Sequence, residues 1–257
     1  DMIFETHAHY DDEAFDEDRQ ELFSGFVDAG IDKVVNIGVT VENSISNVEL
    51  ISKYDFLYGT VGVHPNEVGE LKSSDIEILR QLATKDKVVA IGEIGLDYYY
   101  DEPPREIQKK WFEAQSELAR EIQLPMVVHS RDAAKDTVDM MKTMRAGDIG
   151  GVVHCFSYTK EVARDFLKMD FYFGIGGVIT FKNAKKLKEA VEYIPLDKIV
   201  LETDCPYLAP DPYRGKRNSS HYLPYIIEAI ADIKGVTAKE VEEITYANAN
   251  KLYRIKE

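Results

Sequence analysis

A chain of 257 residues, 44% hydrophobic and 30% charged, carries enough apolar material for one full core, and its length suits one α/β barrel without requiring two domains. No apolar run reaches the roughly 18 residues of a membrane span, so no membrane association is expected. A formal charge of −15 excludes a protein that attracts nucleic acid through its overall field, though not an enzyme that grips phosphate locally.

The chain opens on MIFETHAH, residues 2–9, which reads as a strand. No basic stretch and apolar run precede it, so no signal peptide is expected. DRQELFSGFVDAG follows with a helical period, closed by Gly30. The runs KVVNIGV (33–39) and LYGTVGVHP (57–65) read as the next strands. After them SDIEILRQLATK reads as a helix, with Ser74 and Glu77 spaced as a capping box. VVAIGEIGLD (88–97) precedes the long helical pattern REIQKKWFEAQSELAREIQ. Four more strand-like runs follow: PMVVHSRD (125–132), GGVVHCFS (150–157), FYFGIGGVI (171–179) and KIVLETDCP (198–206). Most are rich in Val, Ile and Gly, as strands buried on both faces should be. Eight β/α units in order predict one (β/α)8 TIM barrel over residues 1–257. The last stretch, TAKEVEEITYANANKLYRIK, predicts an extra C-terminal helix packed on the outside.

Cys155 and Cys205 do not make a disulfide framework, so a cytoplasmic protein is expected. Each follows a candidate ligand by one residue. Strand alternation would turn both thiols outward as small buried hydrophobes.

Five of the six histidines fall at or near the C-terminal ends of predicted strands. His7 and His9 end the first, His64 the third, His129 the fifth and His154 the sixth. Glu93 lies in the fourth and Asp204 ends the eighth. In a barrel these ends converge on one mouth, where active sites sit. His7 and His9 are two apart, so both imidazoles can face the axis and grip one ion. Glu93 is a carboxylate inside an apolar run without a nearby cation in sequence. It suits a bridge between two ions better than a buried salt bridge with a distant Arg. Four imidazoles and two carboxylates suit Zn, Mn, Co or Ni and tolerate Mg.

Around this set, His64 can hydrogen-bond the substrate, or merely start a turn before Pro65. Arg131 can pair with a phosphate or with the neighbouring Asp132. The loop YRGKRNSS carries Arg214, Lys216 and Arg217 where barrels often bind phosphate, though a solvated loop would also look like this. Tyr98, Tyr99, Tyr100 and Phe156 can stack bases or simply pack their loops.

Taken together, ETHAHYDD, GVHPNE, GEIGLDYY, VVHSRDA, HCFS, ETDCPYLAP and RGKRN resemble the TatD family of metal-dependent deoxyribonucleases, within the amidohydrolase-like group. The tail YANANKLY extends the resemblance over essentially the whole chain. The resemblance implies metal ligands at His7, His9, Glu93, His129, His154 and Asp204, with Glu93 shared by two divalent ions (Mg, Mn or Zn). It also implies 3′→5′ exonuclease action on DNA, single-stranded or at 3′ ends. Glu5 stands where the family usually has Asp, and Tyr158 where a Gly commonly follows HCFS; these bear on substrate fit rather than on the ligands.

The mechanism expected is hydrolysis of a phosphodiester by water activated between the ions, with Asp204 taking its proton and His64 and the nearby cations steadying the phosphate oxygens. The same site suits a rival substrate, the aminoacyl ester of a mischarged D-aminoacyl-tRNA. A non-catalytic binding protein is the other alternative, and an intact ligand set argues against it. Nothing in the sequence implies an obligate protein partner.

Overall fold

The computed structural model describes residues 2–256. Eight strands are built in order: β1 (Ile3–Ala8), β2 (Ile31–Asn36), β3 (Leu57–Val61), β4 (Val88–Asp97), β5 (Met126–Arg131), β6 (Gly151–Val153), β7 (Tyr172–Ile175) and β8 (Ile199–Leu201). Helices lie between them: α1 (Arg19–Ser24), α2 (Val41–Ile51), α3 (Ser73–Leu82), α4 (Arg105–Ile122), α5 (Ala134–Thr143), α6 (Lys160–Lys168) and α7 (Lys185–Tyr193). Two more, α8 (Leu223–Lys234) and α9 (Ala238–Leu252), complete the chain.

All strand pairs from β1 to β8 are parallel and taken in sequence order, which gives the expected barrel. The β8–β1 seam carries no ladder among the described residues. It is held at the mouth by His9 N donating to Cys205 O (2.9 Å) and Asp204 N donating to His7 O (2.9 Å). Glu5 braces the same seam. Its buried carboxylate accepts from the backbone N–H groups of His7 and Thr203 and from the hydroxyls of Thr203 and Ser220. Burial pushes Glu5 up to about 7, and those donors restrain the rise. The longer side chain at this position thus spans a seam inside the protein. Tyr158 likewise turns inward, its hydroxyl on Ser130 Oγ (2.9 Å) and on Ala133 N–H (3.1 Å).

Threonine hydroxyls at 40, 159 and 237 cap α2, α6 and α9. Three local expectations differ from the structure. Helix α3 starts at Ser73, and Asp75 rather than Glu77 reaches back to the N–H of Lys72 (2.8 Å). Glu77 is drawn instead to Arg80 one turn on. Helix α1 stops at Ser24, and turns carry the chain to Gly30, whose φ of +76° a side chain would strain. Strands β6 and β8 are three residues long, so His154 and Asp204 lie beyond their ends.

Helix α9 is the larger correction, because it does not lie on the outer wall. Tyr246, Ala249, Leu252 and Tyr253 pack in one cluster with Phe4, Val35, Val89, Val127, Val152 and Val200. Side chains from six strands meet in one cluster only inside a barrel. Asn248 donates to Leu196 O and Ile199 O, and Arg254 donates to Gln123 O and Ile149 O, all at the starts of strands. Helix α9 therefore covers the floor of the barrel, opposite the mouth. No described helix is long and apolar enough to cross a membrane.

Candidate metal centre

The mouth gathers all six expected ligands around Glu93, which is 3% exposed. Its Oε1 lies 3.2 Å from His7 Nε2 and 3.8 Å from His9 Nε2. Its Oε2 lies 2.8 Å from His129 Nδ1, 3.0 Å from His154 Nε2 and 3.5 Å from His64 Nε2. Asp204 completes the first side, with Oδ1 3.0 Å from His9 Nε2 and 3.3 Å from His7 Nε2. One carboxylate thus stands between two sets of imidazoles, one set on each oxygen.

No Lys or Arg pairs with Glu93 or Asp204 among the described residues, which removes the reading of Glu93 as half of a buried salt bridge. Without an added cation the only positive charge available is imidazolium, yet the His7 and His154 rings stack at 3.6 Å and 6°. Protonated, these two rings repel each other strongly, and divalent cations in place of the protons would relieve that repulsion. His7 Nδ1 is buried without a partner. The residues fit a group of divalent cations, to which neutral imidazoles and ionised carboxylates are the natural donors.

The electrostatics agree. Burial works to keep Glu93 neutral, but the charges of His154 and His7 and hydrogen bonds from His129 and His154 hold it well below the usual carboxylate range. Asp204 is likewise held far down against burial, by His7 and His9. Burial alone would lower His9, yet Asp204 and Glu93 raise it to about 9. This is a site of strongly ionised acids, poised to exchange protons for metal.

Two acids behind the expected ligands orient them. Glu202 Oε2 holds His154 Nδ1 at 2.8 Å, and its Oε1 accepts from the N–H of Cys155 (2.7 Å). Asp97 Oδ2 holds His129 Nε2 at 2.9 Å. Each imidazole therefore turns its other nitrogen toward Glu93. Gly174 in β7 makes room for this: a Cβ there would lie 1.8 Å from Glu202 Oε1. Sequence reading did not single out Glu202 or Asp97. The signal was the one that exposed Glu93, an acid inside an apolar strand run. Glu202→Gln is expected to weaken metal binding about 10- to 100-fold while the fold survives, because an amide cannot both accept from Cys155 N–H and hold the same imidazole tautomer. Chelator competition on the purified variant reads this directly, and unchanged affinity would refute it.

Other expected residues divide. His64 sits at the mouth, its ring centroid 4.4 Å from that of His129. Its Nδ1 accepts from Asn66 N–H (3.1 Å). Arg131 is exposed and pairs with no carboxylate among the described residues; it lies over the Tyr99 ring at 3.8 Å. Arg214 lies over Phe181 at 3.9 Å, and Lys216 is exposed. Arg217 is already engaged: it forks onto Asp18 (2.8 and 2.6 Å) and donates to Ala14 O.

Tyr98 and Phe156 do not reach the solvent face. Tyr98 is 8% exposed with its hydroxyl on Asp136, and Phe156 packs against Phe166 and Phe173. Both cysteines lie past strand ends, Cys155 with φ of +49°, so strand alternation does not place them, yet Cys205 is buried in the core as expected while Cys155 is half-buried. Burial pushes the Cys155 thiol up to about 12 and raises that of Cys205 further still.

Comparison with known proteins bears on this geometry. The family profile described as TatD related DNase matches residues 4–254. The metal-dependent hydrolase YabD of Bacillus subtilis is 43% identical over 254 residues, covering 99% of this chain and 100% of that protein. A Rahnella protein named 3′-5′ ssDNA/RNA exonuclease TatD is 32% identical over 259 residues, covering 98% of each. Among solved structures, the TatD homologue YjjV of Escherichia coli superposes with a TM-score of 0.93 at 28% identity, over 99% of this chain and 98% of that one.

Proposed function

The chain belongs to the TatD related DNase family, and on that premise we propose that this metal-dependent hydrolase is a deoxyribonuclease that shortens DNA from its 3′ ends. The name of the Rahnella relative, which covers single-stranded DNA and RNA, supports the direction and a nucleic-acid substrate. The observation that carries the reading is Glu93, buried between two imidazole sets with no Lys or Arg partner.

Two divalent ions, Mg, Mn or Zn, would be held by His7, His9, Glu93, His129, His154 and Asp204. When bound, they supply a water acidified toward neutral pH and positive charge beside the phosphate. The chain's own residues do the remainder. Asp204, ionised and 3.0 Å from His9, receives the proton of the attacking water. His64 is neutral at pH 7, since burial and then the neighbouring His129 lower it to about 3. Because its Nδ1 accepts from Asn66, its proton is on Nε2, 3.5 Å from Glu93 Oε2, where it would serve as a donor to a non-bridging oxygen bound beside Glu93. Arg131, Arg214 and Lys216 are set to meet neighbouring phosphates.

Arg217 must first leave Asp18, so the two residues make a paired prediction. An exposed ion pair is worth about 0.2–1 kcal/mol. Asp18→Ala is expected to lower KM for single-stranded DNA by up to about fivefold, by freeing the guanidinium. Arg217→Ala should raise KM, with a smaller effect on kcat, and flatten the salt dependence by about one unit of slope. If neither variant moves KM, Arg217 serves only to brace the 14–18 turn.

The decisive assay adds Mg, Mn or Zn to metal-free protein with single- and double-stranded DNA, each end labelled in turn, beside a D-aminoacyl-tRNA. Stepwise loss from the 3′ end supports the proposal. Ester hydrolysis with intact DNA would transfer the site to aminoacyl esters, and no metal-dependent turnover of either would leave a binding protein.

A further inference from the structure

Two exposed aromatic groups flank the mouth. On one side, Tyr99 and Tyr100 follow β4 and are 55% and 68% exposed. Their rings meet edge to face at 4.8 Å and 84°. The Arg131 guanidinium at the end of β5 lies 3.8 Å from the centre of Tyr99 and 5.8 Å from that of Tyr100. The chain has 46 acidic residues against 31 basic ones, yet Arg131 pairs with no carboxylate among the described residues and rests on the two tyrosines instead. The group is tied to the metal centre. Asp97, whose Oδ2 holds His129, accepts from Tyr99 N–H through Oδ1 (3.0 Å). Asp97 also pairs in register with Arg131, and Tyr98 N donates to Arg131 O at 2.9 Å. Arg131 follows His129 by two residues, about 7 Å along the strand.

On the other side stands Tyr207, 54% exposed, beyond β8. Its ring centroid is 6.3 Å from that of His9, its hydroxyl donates to Asp12 Oδ2 (3.0 Å), and Asn218 Nδ2 fixes its carbonyl (2.8 Å). In a ring of eight strands, β4 and β8 are diametrically opposed. A ligand touching both groups must cross the mouth above Glu93.

We propose that Tyr99, Tyr100 and Arg131 form a base-stacking subsite on one side of the scissile phosphate, and Tyr207 a second on the other, so that a single strand lies across the barrel mouth. The inference rests on the nuclease reading and specifies how that site takes its substrate. Large aromatic faces left in water beside a reactive centre call for a ligand with faces of its own. Every nucleobase has one, whatever the sequence. A guanidinium on the same ring adds cation–π attraction and meets the phosphate of the stacked nucleotide. A duplex would not serve, because its base faces are already stacked.

The test compares a short single-stranded oligonucleotide with the same strand made abasic at the positions flanking the cleaved bond. The abasic strand keeps every phosphate and loses only the faces. Wild type should show a KM for the abasic strand about 5- to 150-fold above that for the intact one. The double variant Tyr99→Ala with Tyr100→Ala, and separately Tyr207→Ala, should raise KM on the intact strand and change little on the abasic one. Tyr99→Phe with Tyr100→Phe should restore wild-type KM, and thermal melting checks each fold. Equal KM for both strands in wild type would overturn stacking while leaving the nuclease reading intact. So would equal losses on both strands in the variants. If neither strand is cleaved, the nuclease reading itself falls, and fluorescence anisotropy with the same two strands decides stacking: tighter binding of the intact strand upholds it, and equal binding ends it.

Discussion

Glu93→Ala is expected to abolish hydrolysis and to strip the purified protein of at least one of its metal ions. The side chain is 3% exposed and touches five imidazoles, so nothing from solvent can replace it. Removing it leaves two imidazole sets with no shared anion between them, and two divalent charges would then repel across the gap. Ions at such a centre supply several kcal/mol of charge stabilisation, so their loss means about a thousandfold or more in kcat/KM. Metal content per chain, measured beside activity, separates this from the rival reading. A Glu93 that only satisfied neighbouring histidines would give a variant less stable to heat yet still loaded with two ions. That result would remove the bridging role and the mechanism with it.

The sequence made this site legible because its fold and its chemistry share one rule. Parallel strands in a barrel bring their C-terminal ends together, so histidines and acids at those ends mark a single place. His7, His9, His129, His154 and Asp204 were readable for that reason, and Glu93 because an acid inside VVAIGEIGLD violates the strand's apolar pattern. Glu202 and Asp97 break the pattern in the same way. They differ from the expected ligands in standing behind His154 and His129 rather than between the imidazole sets, which spacing along a chain does not encode. Strand limits were less legible. GGVVHCFS and KIVLETDCP look continuous, but the backbone leaves the ladder after Val153 and Leu201, and Cys155 and Asp204 turn to positive φ.

Helix α9 misleads for a different reason. Its apolar face is ordinary, and an amphipathic pattern states that a face is covered without stating by what. Only long-range partners, Lys33 to Asn250 and Tyr253 to Thr6, place it under the barrel rather than beside it. Arg217 is the same problem in charge. A basic residue in a basic loop reads as a phosphate contact, but Asp18 lies 199 positions away in sequence and fills its fork. Tyr98 and Tyr99 are adjacent and chemically identical, yet one is buried on Asp136 and the other is open to solvent.

Asp204→Asn should separate proton transfer from metal binding. His7 and His9 hold Asp204 far below the usual carboxylate range, against burial. A carboxylate so acidic is a poor base for ordinary water, and a general base works best with a pKa near the working pH. Its task is feasible only if the water it meets is itself acidified, which is what the neighbouring ions supply. Asparagine keeps the shape and one oxygen donor but cannot take a proton. It should therefore retain a larger share of the metal than Glu93→Ala, while kcat falls about 10²- to 10⁴-fold. The effect should lie in kcat more than in KM, because the group acts on the reacting water and not on the strand. The pH profile gives an independent reading. Wild type loses activity toward acid as its site groups take up protons; in the variant the residual rate should follow hydroxide concentration, rising steadily with pH. Should Asp204→Asn keep both its metal and its kcat, the proton goes elsewhere and Asp204 is not the base.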